Sequence, residues 1–322
     1  MVKSLQQDLR RLGYLATGID GVFGRATEEA VKALRYDLVA GPADGNDGAA
    51  PVKVRDYNKS RVKTVDGVLD RGLAEAMAEM LADERFAKVP SSEDPVAENA
   101  RAVKDLESAA AGQVPLPFLI AIFKQESGLK HFREPSPRND DNFVVVGLDR
   151  GAAGTPAITS RGYGIGQYTL FHHPPTPEEM RDFILDPGAN AGKAVTQLRH
   201  KFLRFVNGNT PGTRADDRQA EHGRGALRWC KYPLSDPRYL TGCRECAAQA
   251  GTIDIKAGQT RFYAGSSRVY EPSAHHPATE YRGVPVRANI GCDWPYAVRR
   301  YNGGGLDSYH YQAQVLLRVR NG

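Results

Sequence analysis

At the beginning of the chain, apolar residues recur at helical spacing on both sides of a glycine-rich loop. This pattern restricts the segment to a pair of short helices. The first apolar stripe recurs every three or four residues and consists of Leu5, Leu9 and Leu12. Gly13 ends this stripe, and the loop GIDGVFGRAT follows it. A second helical stripe comes after the loop and consists of Ala30, Val31 and Leu34. The pattern predicts a small module of two helices around a loop.

The loop and second helix are echoed 46 residues further along the chain. The first copy opens with Asp20-Gly21-Val22 and the second with Asp66-Gly67-Val68. Three more identities follow at matched positions: Arg25/Arg71, Glu29/Glu75 and Ala30/Ala76. Such an echo suggests a duplicated loop–helix element, although a match of this length can also arise by chance.

A segment rich in Pro, Ser and charge at residues 88–96 divides the chain. We expect one domain over residues 1–88 and a larger one over residues 96–322. Helical patterns continue in the larger domain, near 96–111, 115–128 and 189–206, in a helix that opens with a capping box at Thr176–Glu179, and in the final YHYQAQVLLRV. Residues 207–290 are rich in Gly, Pro and β-formers, and we interpret them as a loop-and-strand insertion. The predicted fold class is mainly α.

Composition and charge exclude some classes of protein. The 322 residues are 41% hydrophobic and 25% charged, as in folded globular proteins, and no segment approaches the roughly 18 apolar residues of a membrane span. Residues 1–100 carry a balance of −3 and the remainder +8, which suits a polyanionic partner. Basic runs interleaved with aromatic residues are missing from the sequence, so we expect no nucleic-acid partner.

Glu126 is the first candidate for a catalytic group. It ends the apolar helical stretch FLIAIF (residues 118–123) and follows Ile122 by one turn, which places it on the apolar face. Burial and the negative end of the helix dipole would both raise the pKa of its carboxyl group. A carboxylic acid that stays protonated near neutral pH can protonate a glycosidic oxygen. Taken alone, a glutamate at a helix end is more often an ion-pair partner than a catalytic group.

The order of four short motifs supports the catalytic interpretation. Glu126-Ser127-Gly128 is followed by GYGIGQ (residues 162–167), by Asp186-Pro187 before a helix, and by Tyr301-Asn302-Gly303. In this order the motifs resemble the catalytic domain of lytic transglycosylases of the goose-lysozyme-like superfamily. The resemblance covers about 115–206 and 295–320. It implies a lysozyme-like α domain that cleaves the β-1,4 bond between N-acetylmuramic acid and N-acetylglucosamine in peptidoglycan glycan strands.

The resemblance also implies a role for each matched residue. Glu126 corresponds to the single catalytic acid/base, and Ser127 to a neighbour that helps to hold the substrate. Gln167 corresponds to a residue lining the saccharide groove. Tyr301 corresponds to a tyrosine that hydrogen-bonds the catalytic glutamate, and Asn302 shapes the turn after it.

Two departures from the family pattern leave the reaction type open. The gap from Glu126 to Gln167 is 41 residues, longer than expected, and about 90 residues separate the helix led by Asp186-Pro187 from Tyr301. The first gap contains Asp140, Asp141 and Asp149, any of which could serve a hydrolase as a second carboxylate. We favour the non-hydrolytic reaction, with 1,6-anhydromuramic acid as product, because these acids look like part of a solvated loop. A lysozyme-type muramidase remains the alternative.

The N-terminal residues supply an independent indication of the same target. LQQDLRRLGY followed by GIDGVFGRATEEAVKAL closely resembles a peptidoglycan-binding module, directly over about 2–35 and to about 85 if the echo completes it. The motif residues Asp20, Gly21, Gly24 and Thr27 more plausibly shape the loop than contact ligand. A wall-binding module would raise the local concentration of a catalytic domain at an insoluble substrate. The whole architecture is similar to that of modular phage endolysins.

Four cysteines fall within the insertion and its end: Cys230, Cys243, Cys246 and Cys292. The single C-x2-C pair could belong to a zinc site with four thiolates, two disulfides could form, or all four thiols could stay free. We therefore expect no cofactor, with structural zinc as an open alternative. The pairs His172-His173 and His275-His276 each precede proline, and we interpret them as exposed loops.

The expected site of action is the bacterial cell wall, in the periplasm or outside the cell, for a monomer. The N-terminus enters an amphipathic helix at once and lacks the pattern of a secretory signal, so release by lysis, a dedicated export route or removal of a leader would be needed. A different class of function is a wall-binding structural protein whose catalytic domain is degenerate, which the unusual loop lengths suggest.

Overall fold

A computed structural model describes most of the chain. The described residues are 1–41, 50–151, 154–206, 226–256, 259–260, 268–269, 279–303 and 307–322. They divide into two compact units, of which unit 1 comprises Met1–Lys104 with Leu129–Lys193, and unit 2 comprises Asp105–Gly128 with Ala194–Gly322. Each unit is described by itself.

Helices dominate the described residues, and the fold is mainly α as predicted. The helices are α1 (Val2–Arg11), α2 (Arg25–Ala40), α3 (Arg71–Ala82), α4 (Pro95–Ala110), α5 (Leu116–Glu126), α6 (Pro177–Glu179), α7 (Pro187–Phe205), α8 (Cys243–Gln249), α9 (Trp294–Tyr301) and α10 (Asp307–Asn321). The strands are β1 (Val146–Arg150), β2 (Ile158–Tyr163), β3 (Tyr168–Leu170), β4 (Thr252–Ile255), β5 (Gln259–Thr260), β6 (Arg268–Val269) and β7 (Tyr281–Pro285). Within the described ranges, no helix combines the length and the apolar character needed to cross a membrane.

The N-terminal module of unit 1 is built as its sequence pattern predicts. The apolar stripes of α1 and α2 form a core with α3, and its central members are Leu9, Leu12, Val31, Leu34 and Leu73. The buried amide of Gln6 organises the loop between α1 and α2: its Nε2 donates to Asp20 Oδ1 at 2.8 Å and to Thr27 Oγ1 at 3.1 Å. Its Oε1 accepts from the Gly21 amide at 2.8 Å. Asp20, Gly21 and Thr27 therefore shape the loop, as expected.

The two echoed loops have the same local geometry. The amide of Val22 donates to Asp20 Oδ1 at 2.9 Å, and the amide of Val68 donates to Asp66 Oδ1 at 3.0 Å. Each loop is followed by a helix, α2 in one case and α3 in the other. This common turn, in which an aspartate accepts from the backbone two residues on, agrees with a duplicated loop–helix element.

A buried ion pair joins α1 to the segment before β1, also within unit 1. Arg10 and Asp141 are both fully buried, and Arg10 Nε lies 3.0 Å from Asp141 Oδ2. Arg10 also donates to the backbone oxygens of Leu15 at 2.8 Å and Val144 at 2.9 Å. Burial lowers the pKa of Arg10 to about 10, with the Asp141 charge opposing that shift, so the guanidinium stays charged at neutral pH.

The sheet of unit 1 is antiparallel, in the order β1-β2-β3. Gly147 of β1 faces Gly162 of β2, and Tyr163 of β2 faces Tyr168 of β3. Ile158 of β2 joins the core of the N-terminal module. The compact units therefore do not follow the expected domains of residues 1–88 and 96–322, because the first 88 residues share buried contacts with 129–193. The expected domain boundary at residues 88–96 remains a prediction from the sequence.

His173 corrects one expectation. It is 1% exposed, and its Nε2 lies 2.9 Å from the backbone oxygen of Leu12. Its ring makes edge contacts with Tyr14 and Phe86 at centroid distances of 5.2 and 5.7 Å. The prediction of an exposed loop was wrong for this residue because packing against the N-terminal module, which local composition does not encode, buries it. His275-His276 lie outside the described residues.

Unit 2 is built around the apolar helix α5. The last helices of the chain, α9 and α10, pack against α5 together with α8. Phe202 of α7 stacks on Trp294 at the start of α9, with ring centroids 3.9 Å apart. The expected insertion at 207–290 contains the predicted strands β4 to β7 but also the helix α8, so a purely loop-and-strand interpretation was wrong. Residues 207–225 and most of 257–278 lie outside the described part of the chain.

Replacing Arg10 by methionine should lower the free energy of unfolding by about 3–5 kcal/mol, since it leaves the Asp141 carboxylate buried without its nearest cation. The neighbouring pair Lys3–Asp140 provides a matched control, because its side chains are 53% and 50% exposed. Lys3→Met should change the stability by less than about 1 kcal/mol. Urea denaturation measures both variants, and equal effects would contradict a special role for the buried pair.

Candidate active site

The end of α5 presents Glu126 where the apolar helix leaves the core of unit 2. Phe118, Leu119, Ile122 and Phe123 are buried, whereas Glu126 is half-buried. The amide of Ser127 donates to the backbone oxygen of Phe123 at 3.0 Å, and Gly128 follows with φ of +67°. Glycine adopts this left-handed conformation without steric cost, which explains why the helix ends here. The helix thus holds Glu126 at a defined exit from the core.

Tyr311 of α10 forms a hydrogen bond with Glu126. Its hydroxyl donates to Glu126 Oε1 at 2.6 Å, and the tyrosine side chain is 6% exposed. Burial, and next the charge of Glu126, raise the pKa of Tyr311 well above its usual range. The phenol therefore stays protonated and can act as a donor at any physiological pH. A neutral donor to a carboxylate makes a short, charge-assisted hydrogen bond that fixes the orientation of the carboxyl group.

Tyr301 lies in the same cluster. It ends α9, is 8% exposed, and its pKa is raised by burial and then by the charge of Glu126. The structure thus places Tyr301 within electrostatic reach of Glu126, in the same cluster as Tyr311. All three residues belong to unit 2.

Polar contacts from α10 hold the last turn of α5 in place. Arg318 Nε donates to Gln125 Oε1 at 3.1 Å, and Lys124 Nζ donates to the backbone oxygen of Gly322 at 2.8 Å. With the bond from Tyr311 to Glu126, three consecutive residues of α5 are bound by α10 or by the residue that follows it. This arrangement limits the positions that the Glu126 carboxyl group can take.

Ser127 and Asn302 lie beside the cluster at helix ends. The Ser127 hydroxyl donates to the backbone oxygen of Phe123 at 3.1 Å. Asn302 is exposed and follows α9 as its C-terminal cap, with Gly303 next at φ of +94°. Asn302 thus occupies the turn that the sequence assigned to it, whereas substrate contact by either residue stays a prediction.

Gln167 belongs to unit 1, in the turn between β2 and β3. Its backbone has φ of +49°, and its Nε2 donates to the backbone oxygen of Gly164 at 2.8 Å. Its Oε1 lies over the facing pair Gly147 and Gly162, where a β-carbon on either glycine would collide with it. The glycines of GYGIGQ therefore make room for this side chain and for its turn.

Two buried residues that the sequence analysis missed hold the GYGIGQ turn. His131 Nε2 lies 2.8 Å from the Ile184 carbonyl oxygen, which can only accept, so this nitrogen carries the proton. The other ring nitrogen then accepts from the Ile165 amide at 3.3 Å. Asn190 Oδ1 accepts from the Gly166 amide at 2.8 Å. The segment from Asp186-Pro187 to Asn190 thus supports the turn. The DPGAN motif (residues 186–190) is the sequence feature that could have identified Asn190.

The three aspartates considered as second carboxylates have partners within unit 1. Asp141 is fully buried against Arg10 and lies 3.3 Å from Arg133 Nε. Asp140 pairs with Lys3, and Asp149 accepts from the Ser160 hydroxyl at 2.7 Å. The expectation that these acids form a solvated loop was wrong for Asp141, because its negative charge is neutralised inside unit 1. Each of the three carboxylates thus forms an ion pair or a hydrogen bond within unit 1.

The comparison with protein families finds one match, to a putative peptidoglycan binding domain, over residues 1–35. Neither the curated proteins nor the solved structures include a match to this chain. The family match covers the two helices and the loop organised by Gln6. It supports a role for this protein at the bacterial cell wall, with peptidoglycan as a binding partner.

Burial of a neutral His131 predicts a pH-dependent stability. Burial lowers the pKa of His131 from its ordinary 6.5 to about 4. The unfolded chain therefore takes up a proton before the folded one, and stability present at pH 7 is lost as the pH falls from 6.5 towards 4. His173 acts in the same direction, since burial lowers its pKa as well.

Urea denaturation of wild type should thus show a midpoint that falls between pH 7.5 and pH 5. His131→Gln should be less stable than wild type at pH 7.5 but lose less on acidification. An unchanged slope in His131→Gln would show that the ring does not titrate as described.

A double-mutant cycle tests the contact between Glu126 and Tyr311. Hydrogen bonds to charged groups contribute about 1.5–3 kcal/mol, so Glu126→Gln and Tyr311→Phe should show a coupling free energy of that order. Urea denaturation of the two single variants and the double variant measures it. Additive effects would mean that the bond does not exist in solution.

Proposed function

We propose that this protein cleaves the glycan strands of peptidoglycan at the β-1,4 bond after N-acetylmuramic acid, with Glu126 as its acid/base. The observation that carries the proposal is the position of Glu126 at the exit of an apolar helix, held by the hydroxyl of Tyr311 at 2.6 Å. A carboxyl group fixed in this way at the edge of a core can both give and take a proton in one place.

The two halves of the proposed reaction use Glu126 in opposite forms. As an acid it protonates the glycosidic oxygen, and the bond to the leaving N-acetylglucosamine breaks. As a carboxylate it then accepts the proton of the C6 hydroxyl of muramic acid, which attacks C1 and closes the 1,6-anhydro ring. The Tyr311 hydroxyl can donate to the carboxylate that the second half requires. The product forms without water.

The partners of Asp140, Asp141 and Asp149 favour this non-hydrolytic route over a muramidase. A hydrolase of the usual kind needs a second carboxylate to activate water or to attack the sugar. Asp141 is neutralised by Arg10. Asp140 forms an ion pair with Lys3, and Asp149 accepts a hydrogen bond from Ser160. Hydrolysis of the same bond remains the alternative, because substrate-assisted enzymes dispense with the second acid.

The N-terminal module contributes binding to the proposed activity. Its match to a peptidoglycan binding domain covers residues 1–35, and the glycan strands are the expected partner. Holding the chain at the wall raises the effective concentration of the acid/base at an insoluble substrate without adding contacts at the site. Action on the cell wall therefore combines a binding module with a cleaving unit.

Mass spectrometry of products from purified peptidoglycan tests the reaction. Wild-type protein should release muropeptides that end in 1,6-anhydromuramic acid. Muropeptides with a reducing end would replace the transglycosylase by the muramidase alternative. Glu126→Gln should lower the rate by about 10²–10⁴-fold, the usual contribution of an acid/base.

Glu107→Gln is the matched control, since it makes the same chemical change at an exposed position on α4 in unit 2. It should keep the wild-type rate. Tyr311→Phe should lower the rate by roughly tenfold, which corresponds to about 1.4 kcal/mol, close to the loss of one charge-assisted hydrogen bond. Full activity of Glu126→Gln would remove this residue from the mechanism.

A second candidate function is wall binding without catalysis. It is favoured by the family match, which concerns a binding module alone. In that case the wild type and Glu126→Gln would sediment equally with cell-wall sacculi, and neither would release soluble muropeptides.

A further inference from the structure

The four cysteines come from three separate segments that converge within unit 2. Cys243 and Cys246 lie one turn apart on α8, and both are buried, as is Cys292 just before α9. Cys230 is half-buried in a segment that precedes α8. The chain has four cysteines in total, so this convergence includes every thiol.

The segment of Cys230 runs beside the segment of Cys292. The Asp293 amide donates to the Arg228 oxygen at 2.9 Å, and the Arg228 amide donates to Asp293 Oδ2 at 2.8 Å. The indole nitrogen of Trp294 donates to the Trp229 oxygen at 2.8 Å. Bonds between the two residues before Cys230 and the two residues after Cys292 therefore hold these segments side by side.

The segment of Cys230 also lies against the start of α8. The Leu240 amide donates to Cys230 Sγ at 3.3 Å, and Lys231 Nζ donates to Gln249 Oε1 at 2.9 Å. A β-carbon on Gly242, which caps α8, would come within 2.6 Å of the Tyr232 ring. The helix with the C-x2-C pair is thus packed onto the segment of Cys230, which in turn runs beside the segment of Cys292.

The thiols lie within electrostatic reach of one another. Burial raises the pKa of Cys243, and the charges of Cys292, Cys230 and Cys246 raise it further. Burial raises the pKa of Cys292 to about 12, with the Trp294 amide opposing the shift and Cys246 and Cys230 adding to it. These electrostatic contacts place the four cysteines close to one another within unit 2.

We propose that Cys230, Cys243, Cys246 and Cys292 bind one structural zinc ion. Four thiolates close the tetrahedral coordination that Zn²⁺ prefers, so no position stays open for catalysis. The C-x2-C spacing on a helix supplies two ligands from one face, and the amides of Leu240 and Trp294 can stabilise the sulfurs of Cys230 and Cys292. Binding would displace the thiol protons to solvent.

Coordination would also draw the thiols together. In the described ranges, no group of three or more His, Cys, Asp or Glu side chains already stands at metal-binding distances. Closing the site requires the side chains on the converging segments to bring their four sulfurs together around the ion. The ion would then tie α8 to the start of α9, the helix that ends at Tyr301.

Metal analysis of the full-length protein, purified without chelator, tests the proposal. We expect about one zinc per chain and no free thiols until a chelator is added. Cys243→Ser and Cys246→Ser should each lose most of the metal. Glu245→Gln, an exposed change between them on the same helix, should keep it.

A second measurement uses wild-type protein, so the test does not depend on the folding of the cysteine variants. Wild-type protein reconstituted with Co²⁺ should show the intense sulfur-to-metal absorption of a tetrahedral tetrathiolate site. Chelation should lower its melting temperature. A mass decrease that corresponds to two disulfides, or four reactive thiols with no zinc after incubation with the metal, would overturn the proposal.

Discussion

The apolar helix α5 is the constraint on which the candidate site depends. Its buried face makes the helix the centre of unit 2, and the packing of α9 and α10 against it follows from the need to cover that face. A glutamate at the end of such a helix is carried to the edge of the core. The helices that cover α5 then decide which side chains surround the carboxyl group.

Unit 1 depends on a buried charge and the groups that compensate it. Arg10 is fully buried, and a buried guanidinium is tolerated because Asp141 and two backbone oxygens surround it. This pairing joins α1 to the segment before β1, while the aromatic contacts of His173 join the module to the turn that follows β3. The N-terminal module is thus part of a larger folded unit, with internal contacts that a freely tethered module would lack.

Much of the local structure was predictable from residue spacing. The apolar stripes of α1 and α2, the capping box of Thr176 and Glu179, and the end of α5 at Gly128 depend on neighbours within a few residues. The helix α8 was missed although Cys243, Cys246 and Ala247 have helical spacing, because glycine, proline and β-formers around it favoured strands. Composition averaged over a long segment concealed a short helix.

The sequence by itself determined that a peptidoglycan-binding module opens the chain and that Glu126, Tyr301 and Gln167 are the residues to examine. The tertiary structure alone decided that Tyr311 donates to Glu126, that Asp141 is neutralised by Arg10, and that His131 supports the turn before Gln167. These contacts join residues separated by 185, 131 and 34 positions. Hydrogen bonds and ion pairs over such separations arise from the packing of whole elements, which no local pattern of residues encodes.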